Sequence, residues 1–412
     1  MAELKEVVVI DAVRSPIGNS GRKGMEKKGQ LCQASAQDLV ASVMRGLLDR
    51  VKSKCPNFDE KDIEDVLVGC LSQIGEQGGN IARIASLLAG IPKEASACTV
   101  NQYCNAGLKA INFASRAIRV GDGDVIMCAG VELMSHYPMG SDIQIAMEAK
   151  YPLRLSNRFA DTGMMVAQGV CAEMIAKDEG FTREDLDQFG IWSMQKAVEA
   201  ERKGWYADHI IPFELNWGKE TKIIEKDEVL RPKAVDDPEG YYEDVKKLKP
   251  PFQPKDGVVT AGNSSRIVDG AAAVLLMSAE KAEKLGLEPL CKITGTASAG
   301  GDPVPMLLAP IPAARKALAR AGKTIDDMDI IEPNEAFATP CLSFANALGY
   351  DFNDPRVNPT GGAIALGHPI GASGVIYFGE MVQHLKRSGG KAGLQLICGG
   401  GGIGIAAVVE AV

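Results

Sequence analysis

The first third of the chain alternates short apolar runs with longer amphipathic ones. Val7-Val8-Val9-Ile10 is continuously apolar and predicts a buried strand. Arg14-Ser15-Pro16-Ile17-Gly18 follows as a loop. The pattern then predicts a helix over about 37–51, a strand over 65–69, a helix over 80–89 stopped by Gly90, and a short strand at 99–101. Residues 108–120 carry apolar side chains near i, i+3, i+4 and i+7, the mark of a helix with one buried face. Residues 125–130 are apolar throughout, which suits a strand covered on both sides. Strands alternating with helices predict a largely parallel sheet flanked by helices.

The same order returns in the last third. A helix over 313–321 leads into Ile325-Asp326-Asp327-Met328-Asp329-Ile330-Ile331, which echoes residues 58–67. Val357-Asn358 echoes Val100-Asn101, and a helix over 374–385 matches the one over 108–120. Gly389-Gly390 precedes apolar residues 394–400 as Gly121-Asp122-Gly123 precedes 125–130. Two similar α/β halves are expected, with a site between them. Residues 136–261 break the pattern: Trp192, Trp205, Trp217 and five of the eight tyrosines lie there. A segment this long is expected to be an inserted domain and not a plain loop. The expected division is 1–135 with 262–285, then 136–261 as the insertion, then 286–412.

Composition narrows the function classes. The 45 basic and 53 acidic residues give a net charge of −8 without a basic stripe, so nucleic acid is not an expected partner. No apolar run reaches the ~18 residues of a membrane span. Met1-Ala2-Glu3-Leu4-Lys5-Glu6 leads straight into an apolar strand, without the layout of a secretory signal. The ten cysteines lack Cys-x-x-Cys pairs and metal-ligand spacing, and most are expected to be reduced, buried packing residues in a cytoplasmic protein. Glycine is over-used, at 45 of 412 residues, and clusters late, at Gly361-Gly362, Gly367, Gly371, Gly374 and 399–402.

Those glycines frame candidate chemistry. Cys104, in Asn101-Gln102-Tyr103-Cys104-Asn105-Ala106-Gly107, lies where a strand turns into a helix, and orphan N–H groups with the helix dipole favour a thiolate there. The alternative is a buried packing cysteine. His368, one of only four histidines, sits in Gly361-Gly362-Ala363-Ile364-Ala365-Leu366-Gly367-His368-Pro369-Ile370-Gly371, where imidazole could serve as a base or bond to local backbone. Cys398 ends a buried strand before four glycines, so it faces bare backbone or simply packs. Asn334, in Asn334-Glu335-Ala336-Phe337-Ala338, ends another apolar strand and could position a water or a carbonyl oxygen, while Glu335 could equally hold structure. Gly262-Asn263-Ser264-Ser265 is a small polar turn against which a long ligand could lie.

Together these motifs resemble the thiolase family, over nearly the whole chain from Ala12-Val13-Arg14-Ser15-Pro16-Ile17-Gly18 to Cys398-Gly399-Gly400-Gly401-Gly402. Thr260-Ala261-Gly262-Asn263-Ser264-Ser265, Asn334-Glu335-Ala336-Phe337-Ala338 and the His368 loop are highly specific as a set. The resemblance implies a five-layer α-β-α-β-α thiolase fold with a CoA-binding loop domain at 136–261. It implies reversible, CoA-dependent cleavage of a 3-ketoacyl-CoA, or the reverse condensation, through an acyl-cysteine. Cys104 would be the nucleophile, His368 would take its proton, and Cys398 would move a proton at the α-carbon of acetyl-CoA. Asn334, through a water, and His368 would form one oxyanion hole; the N–H groups of Cys104 and Gly400 would form the other. Ser265, Ala261, Ala336, Phe337, Met306 and Gln168 would meet substrate or CoA. Neither a metal nor a prosthetic group is needed, coenzyme A being a substrate, and a homodimer or homotetramer is expected.

Three departures fall near the expected acyl pocket. Cys104-Asn105-Ala106-Gly107 replaces Cys-x-Ser-Gly, Gln168-Gly169-Val170-Cys171-Ala172-Glu173 replaces Met-Gly-x-Thr-Ala-Glu, and Met306-Leu307-Leu308-Ala309-Pro310 replaces Met-Gly-x-Gly-Pro. Leu307 and Ala309 fill space and Gln168 adds polarity, so a 3-ketoacyl chain other than acetoacetyl is expected to be preferred. Two alternatives stand: a condensing ketosynthase, against which the second cysteine at 398 argues, and a non-catalytic acyl-CoA-binding subunit.

Overall fold

The computed structural model describes residues 4–21, 29–149, 156, 158–163, 166–217 and 220–412. Met1, Ala2, Glu3 and Tyr151, which enter the readings above, lie outside the described residues. In chain order the first elements are β1 (Val7–Arg14), β2 (Gly18–Asn19), α1 (Ala36–Lys54), β3 (Asp65–Gly69), α2 (Ile81–Leu88), β4 (Ser96–Val100), α3 (Ala106–Val120) and β5 (Val125–Leu133). The middle holds α4 (Ser141–Glu148), α5 (Gln168–Glu179), α6 (Arg183–Arg202), β6 (Phe213–Trp217), β7 (Glu220–Ile224), α7 (Lys233–Asp236) and α8 (Pro238–Lys246). The remainder is β8 (Val268–Ser278), α9 (Ala279–Leu285), β9 (Cys291–Gly300), α10 (Pro310–Ala321), β10 (Ile330–Pro333), α11 (Ala338–Leu348), α12 (Ser373–Ser388), β11 (Ala392–Gly399) and β12 (Ile403–Glu410).

Every residue of β1, β5, β8 and β11 is buried, so these strands must be covered on both faces. Three apolar cores do the covering. In one, Leu39, Val43 and Leu47 of α1 and Ile81 and Ala85 of α2 pack on Val66, Val68, Leu275 and Met277. In the second, Leu108, Ile111 and Ala114 of α3 and Val375, Phe378 and Met381 of α12 fill the space between the halves. In the third, Ala313 and Ala317 of α10 and Cys341 and Phe344 of α11 meet Leu394, Leu396 and Ala406. The layers are therefore helix, sheet, helix, sheet, helix.

The strands run in the order β10-β11-β12-β9-β1-β8-β5-β3-β4, with β2 beside β8. Within the sheet, among the described residues, the two halves join where β1 touches β9, at Val8↔Lys292 and Val9↔Cys291. The sheet is mixed, not largely parallel. Among the described residues, only β3–β4, β3–β5 and β10–β11 pair in parallel. Each of those pairs is joined through intervening helix, as a parallel crossover requires. β11 and β12 are linked by a short glycine turn and must run antiparallel. β8 returns from the inserted segment and lies antiparallel to both β1 and β5.

The internal repeat is visible in detail. A 3-10 turn at Glu60–Asp62 leads into β3, and one at Ile325–Asp327 leads into β10. The counterpart of β4 shrinks to one parallel bridge, Ile331↔Val357. α3 and α12 then cross at their N-terminal ends so closely that a Cβ on Gly374 would lie 2.1 Å from the Leu108 nitrogen. That crossing brings the start of α3 against the glycine-rich loop before α12.

The segment between β5 and β8 is anchored through a buried ion cluster. Arg14 of β1 donates two bonds of 2.8 Å to Asp227 and one of 2.6 Å to Glu380 of α12. His209 Nε2 lies 2.9 Å from the same Glu380 oxygen. Burial alone would raise the Glu380 carboxyl, yet His209 and Arg14 bring it down to about 2. Among the described residues no helix is long and apolar enough to cross a membrane.

Candidate active site

The chain leaves β4 in a tight turn. Asn101 Oδ1 accepts from the Tyr103 amide at 3.1 Å, and the Asn105 and Ala106 amides bond back to Gln102 and Tyr103. Tyr103 is forced to φ +53°, one of three non-glycine residues with positive φ among the described residues. Such a conformation costs on the order of 1–3 kcal/mol and persists where its surroundings impose it. The turn delivers Cys104, 4% exposed, to the start of α3. The thiolate expected from the helix dipole is not favoured in this state. Burial pushes the thiol up to about 12, helped by the Glu132 charge and opposed by a hydrogen bond from the Gln168 side chain.

His368 is held on one side only. Ser373 Oγ lies 2.6 Å from His368 Nδ1 and donates its proton to the Pro369 carbonyl at 2.9 Å. A hydroxyl has one proton, so Nδ1 must be the donor to Ser373 and Nε2 the bare lone pair. Nε2 is buried without a hydrogen-bond partner among the described residues. Burial lowers the imidazole to about 4, which keeps it neutral near pH 7 with its Nε2 lone pair open.

The loop around His368 is fixed from several sides. Its backbone N–H donates to the Arg266 carbonyl at 2.9 Å, and Tyr377 donates to the Gly367 carbonyl. Glu335 accepts from Ser193 Oγ (2.6 Å), Asn358 (2.6 Å) and the Ile364 amide (3.0 Å). Glu335 is thus a structural clamp, one of the two readings its sequence position allowed. Glu132 accepts from the amides of Leu71, Ser72 and Gly371 and from Gln77, tying β5 to the loop. A Cβ on Gly371 would lie 2.6 Å from the Cys70 Cα, so only glycine fits.

Cys398 ends β11, fully buried, and burial together with the charge of nearby Cys104 raises its thiol well above the ordinary range. Asn334 follows β10, which is parallel to β11, and its amide nitrogen donates to Leu396 at 2.9 Å. Both polar atoms of the Asn334 side chain are buried without partners among the described residues. Gly400 begins the turn after Cys398, and its Cα faces the Tyr103 ring, so that an added Cβ would lie 3.4 Å from it.

The other candidate residues divide. The Ser265 amide donates to Ala336 at 2.9 Å, Ser264 bridges to Phe337, and the next residue, Arg266, meets His368. Ser265, Ala336 and Phe337 therefore adjoin the His368 loop. Phe252, from the inserted segment, packs edge-on to Phe337 at 6.2 Å between ring centres. Gln168 reaches Cys104 from the first turn of α5, and Met306 is buried beside the same helix. Ala261 is exposed and stands apart from this buried group. The sequence reading passed over Ser373, Glu132 and Asn105; a serine five residues after the histidine at a helix start was the one available signal. Among the described residues no group of three or more histidines, cysteines or carboxylates could hold a metal ion.

Cys104, Cys398 and Asn334 thus lie on neighbouring segments drawn from both halves, and the loop that carries His368 packs against the start of α3. The profile for "Thiolase, N-terminal domain" matches residues 7–280, and that for "Thiolase, C-terminal domain" matches 287–411. The chain belongs to the thiolase family. It is 43% identical to a 3-ketoacyl-CoA thiolase of Alcanivorax borkumensis over 99% of both chains. It is 44% identical to one of a Marinomonas species over 99% of this chain and 98% of that one. Among solved structures, an acetyl-CoA acetyltransferase of Bacillus anthracis superposes with a TM-score of 0.86 at 32% identity, over 100% of both chains. The thiolase fold is therefore shared, and the family is one of acyltransferases. Neither the ketosynthase nor the non-catalytic alternative is favoured.

Proposed function

We propose that this thiolase cleaves 3-ketoacyl-CoA with coenzyme A, and runs the reverse condensation, at the Cys104–His368–Cys398–Asn334 site. The observation that supports the reading is that His368 Nε2 and both side-chain atoms of Asn334 are buried without partners among the described residues, on segments that pack against those carrying Cys104 and Cys398. A bare imidazole lone pair and a free amide in a site of this kind are groups that a thioester substrate and a bound water would satisfy.

Cys104 Sγ attacks the C3 carbonyl and its proton passes to His368 Nε2. The developing oxyanion is held by the N–H groups of Cys104 and Gly400. The C2–C3 bond breaks, leaving the acyl group on Cys104 and the enolate of acetyl-CoA. His368, now protonated, and a water on Asn334 stabilise that enolate while Cys398 gives its proton to C2. Coenzyme A then loses its thiol proton to Cys398 and attacks the acyl-cysteine, and Cys104 leaves and recovers its proton from His368. Both thiols being raised fits a resting state with neutral groups, in which charge forms only when substrate supplies stabilisation.

Coenzyme A is a substrate in this scheme, and neither a metal nor a prosthetic group takes part. The inserted segment, residues 136–261, would carry the CoA moiety across Ser265, Ala261, Ala336 and Phe337, with Phe252 reinforcing Phe337. Gln168 and Met306 would border the acyl chain. A role in fatty acid metabolism accords with this chemistry and with the names of the relatives, and a cytoplasmic setting belongs to the same proposal. A homo-oligomer is supported by the free edge of β4 and by exposed Leu87, Leu88, Phe113 and Val120 nearby.

The test is CoA-dependent loss of enolate absorbance across 3-ketoacyl-CoAs of graded length. Turnover is expected, with an optimum at a chain other than acetoacetyl if Leu307 and Ala309 fill part of the acyl pocket. Cys104→Ala is expected to abolish it while CoA binding stays measurable. A sharp optimum at acetoacetyl-CoA would reject the pocket reading, and turnover by the alanine variant would reject the nucleophile.

A further inference from the structure

We infer that the two residues flanking the nucleophile grip the strand end that carries the second cysteine, and that Asn105 is the positioning residue that registers Cys398 against Cys104. The inference rests on the thiolase reading proposed above. Asn105 is fully buried at the start of α3. With its amide turned so that nitrogen faces the carbonyls of β11, the NH2 group donates to Ile397 at 3.0 Å and to Cys398 at 3.2 Å. The opposite orientation would set the amide oxygen against two carbonyl oxygens, so the donor arrangement is the one that satisfies both sides.

Two further contacts reinforce the grip. A Cβ on Gly399 would lie 2.8 Å from the Asn105 amide, so the side chain lies flush on bare backbone. On the other side of Cys104, the Tyr103 ring covers Gly400. Tyr103 does so from a left-handed backbone, at φ +53°. The side chains of residues 103 and 105, on either side of Cys104 in the chain, thus both contact the short segment 397–400. The Asn105 bonds end on the backbone of Cys398 and of the residue before it. They therefore set where the Cys398 sulfur stands relative to the carbon it must protonate.

Asn105 touches no substrate in this scheme, so its effect must appear selectively in steps that use Cys398. Acylation of Cys104 by 4-nitrophenyl acetate needs Cys104, His368 and an oxyanion hole but no acid, because 4-nitrophenolate leaves unprotonated. Washout of deuterium from trideuteroacetyl-CoA needs Cys398. For Asn105→Ala, washout and thiolysis are expected to fall on the order of 10–100-fold, as for a reacting group misplaced by about 1 Å. Acylation is expected to stay within about threefold of the wild type. Asn105→Ser keeps one donor and should fall between, and it carries the comparison if the alanine variant does not fold. Equal losses in both assays, or no loss in washout, would overturn the positioning role. A wild-type protein that neither acylates nor exchanges would overturn the thiolase reading itself, a separate outcome.

Discussion

At the scale of single residues, burial decides the protonation of the site. His368 is 6% exposed and lowered from 6.5 to about 4 because the cation has lost water and gained no counter-charge. The unfolded chain takes up this proton near pH 6.5, whereas the folded chain resists until about pH 4. Between those values the unfolded state binds more protons, so stability falls as pH falls, by ~1.4 kcal/mol per unit and about 3 kcal/mol across the window. Asp269 works in the opposite sense, since burial raises its carboxyl to about 6. The His368 share is therefore read from a difference: urea midpoints of the wild type and His368→Gln between pH 7.5 and 4. The wild type is expected to lose more stability toward pH 4 than the variant does. Parallel curves would mean that folding leaves the imidazole's proton affinity unchanged.

Residues of this kind were legible unevenly. Cys104, Cys398 and Asn334 each lie at a strand end or just before a helix, and His368 lies in a glycine-rich loop five residues before α12; these positions among small residues were legible. Ser373 and Glu132 were not legible, because their importance arises from contacts that no local pattern records. Glu132 bonds the amide of Gly371, 239 residues away. The thiol state of Cys104 was misjudged for a similar reason: the dipole is a local property, and burial is not.

At the scale of elements, boundaries predicted from periodicity lie within a few residues of those observed, while strand direction escapes local pattern. β8 could not be oriented without knowing that an inserted segment returns the chain beside β1. That return depends on the Arg14 cluster, where Asp227 of the inserted segment and Glu380 of α12 share one guanidinium. Arg14, Asp227 and Glu380 have side chains at most 2% exposed. Replacing Arg14 with methionine keeps bulk but leaves two buried carboxylates without their cation, which should cost about 3–5 kcal/mol. Arg14→Lys keeps the charge and loses the two-pronged contact with Asp227, so a smaller loss is expected. Chemical denaturation of both variants measures this. A loss under about 1 kcal/mol in the methionine variant would show that the cluster contributes little net stability.

At the scale of the whole molecule, the two halves differ in how their outermost strands end. In the C-terminal half the counterpart of β4 is a single bridge, whereas β4 itself is a five-residue edge strand paired only with β3. Such an edge offers unpaired amides and carbonyls to another chain. Around it stand Leu87 and Leu88 of α2, Tyr103, and Phe113 and Val120 of α3, between 40% and 67% exposed. Scattered apolar side chains need no explanation, but a group bordering a free strand edge suits a second copy of this chain. Phe113→Glu places a charge there without touching either buried core between helix and sheet. Sedimentation velocity is expected to show the wild type as an oligomer and the variant shifted toward monomer at equal concentration. Tyr103 belongs to both this surface and the clamp on Gly400, so the monomer should also lose turnover at the site. An unchanged sedimentation coefficient would place the subunit contact, if one forms, on another face, and full activity in a monomeric variant would separate assembly from catalysis.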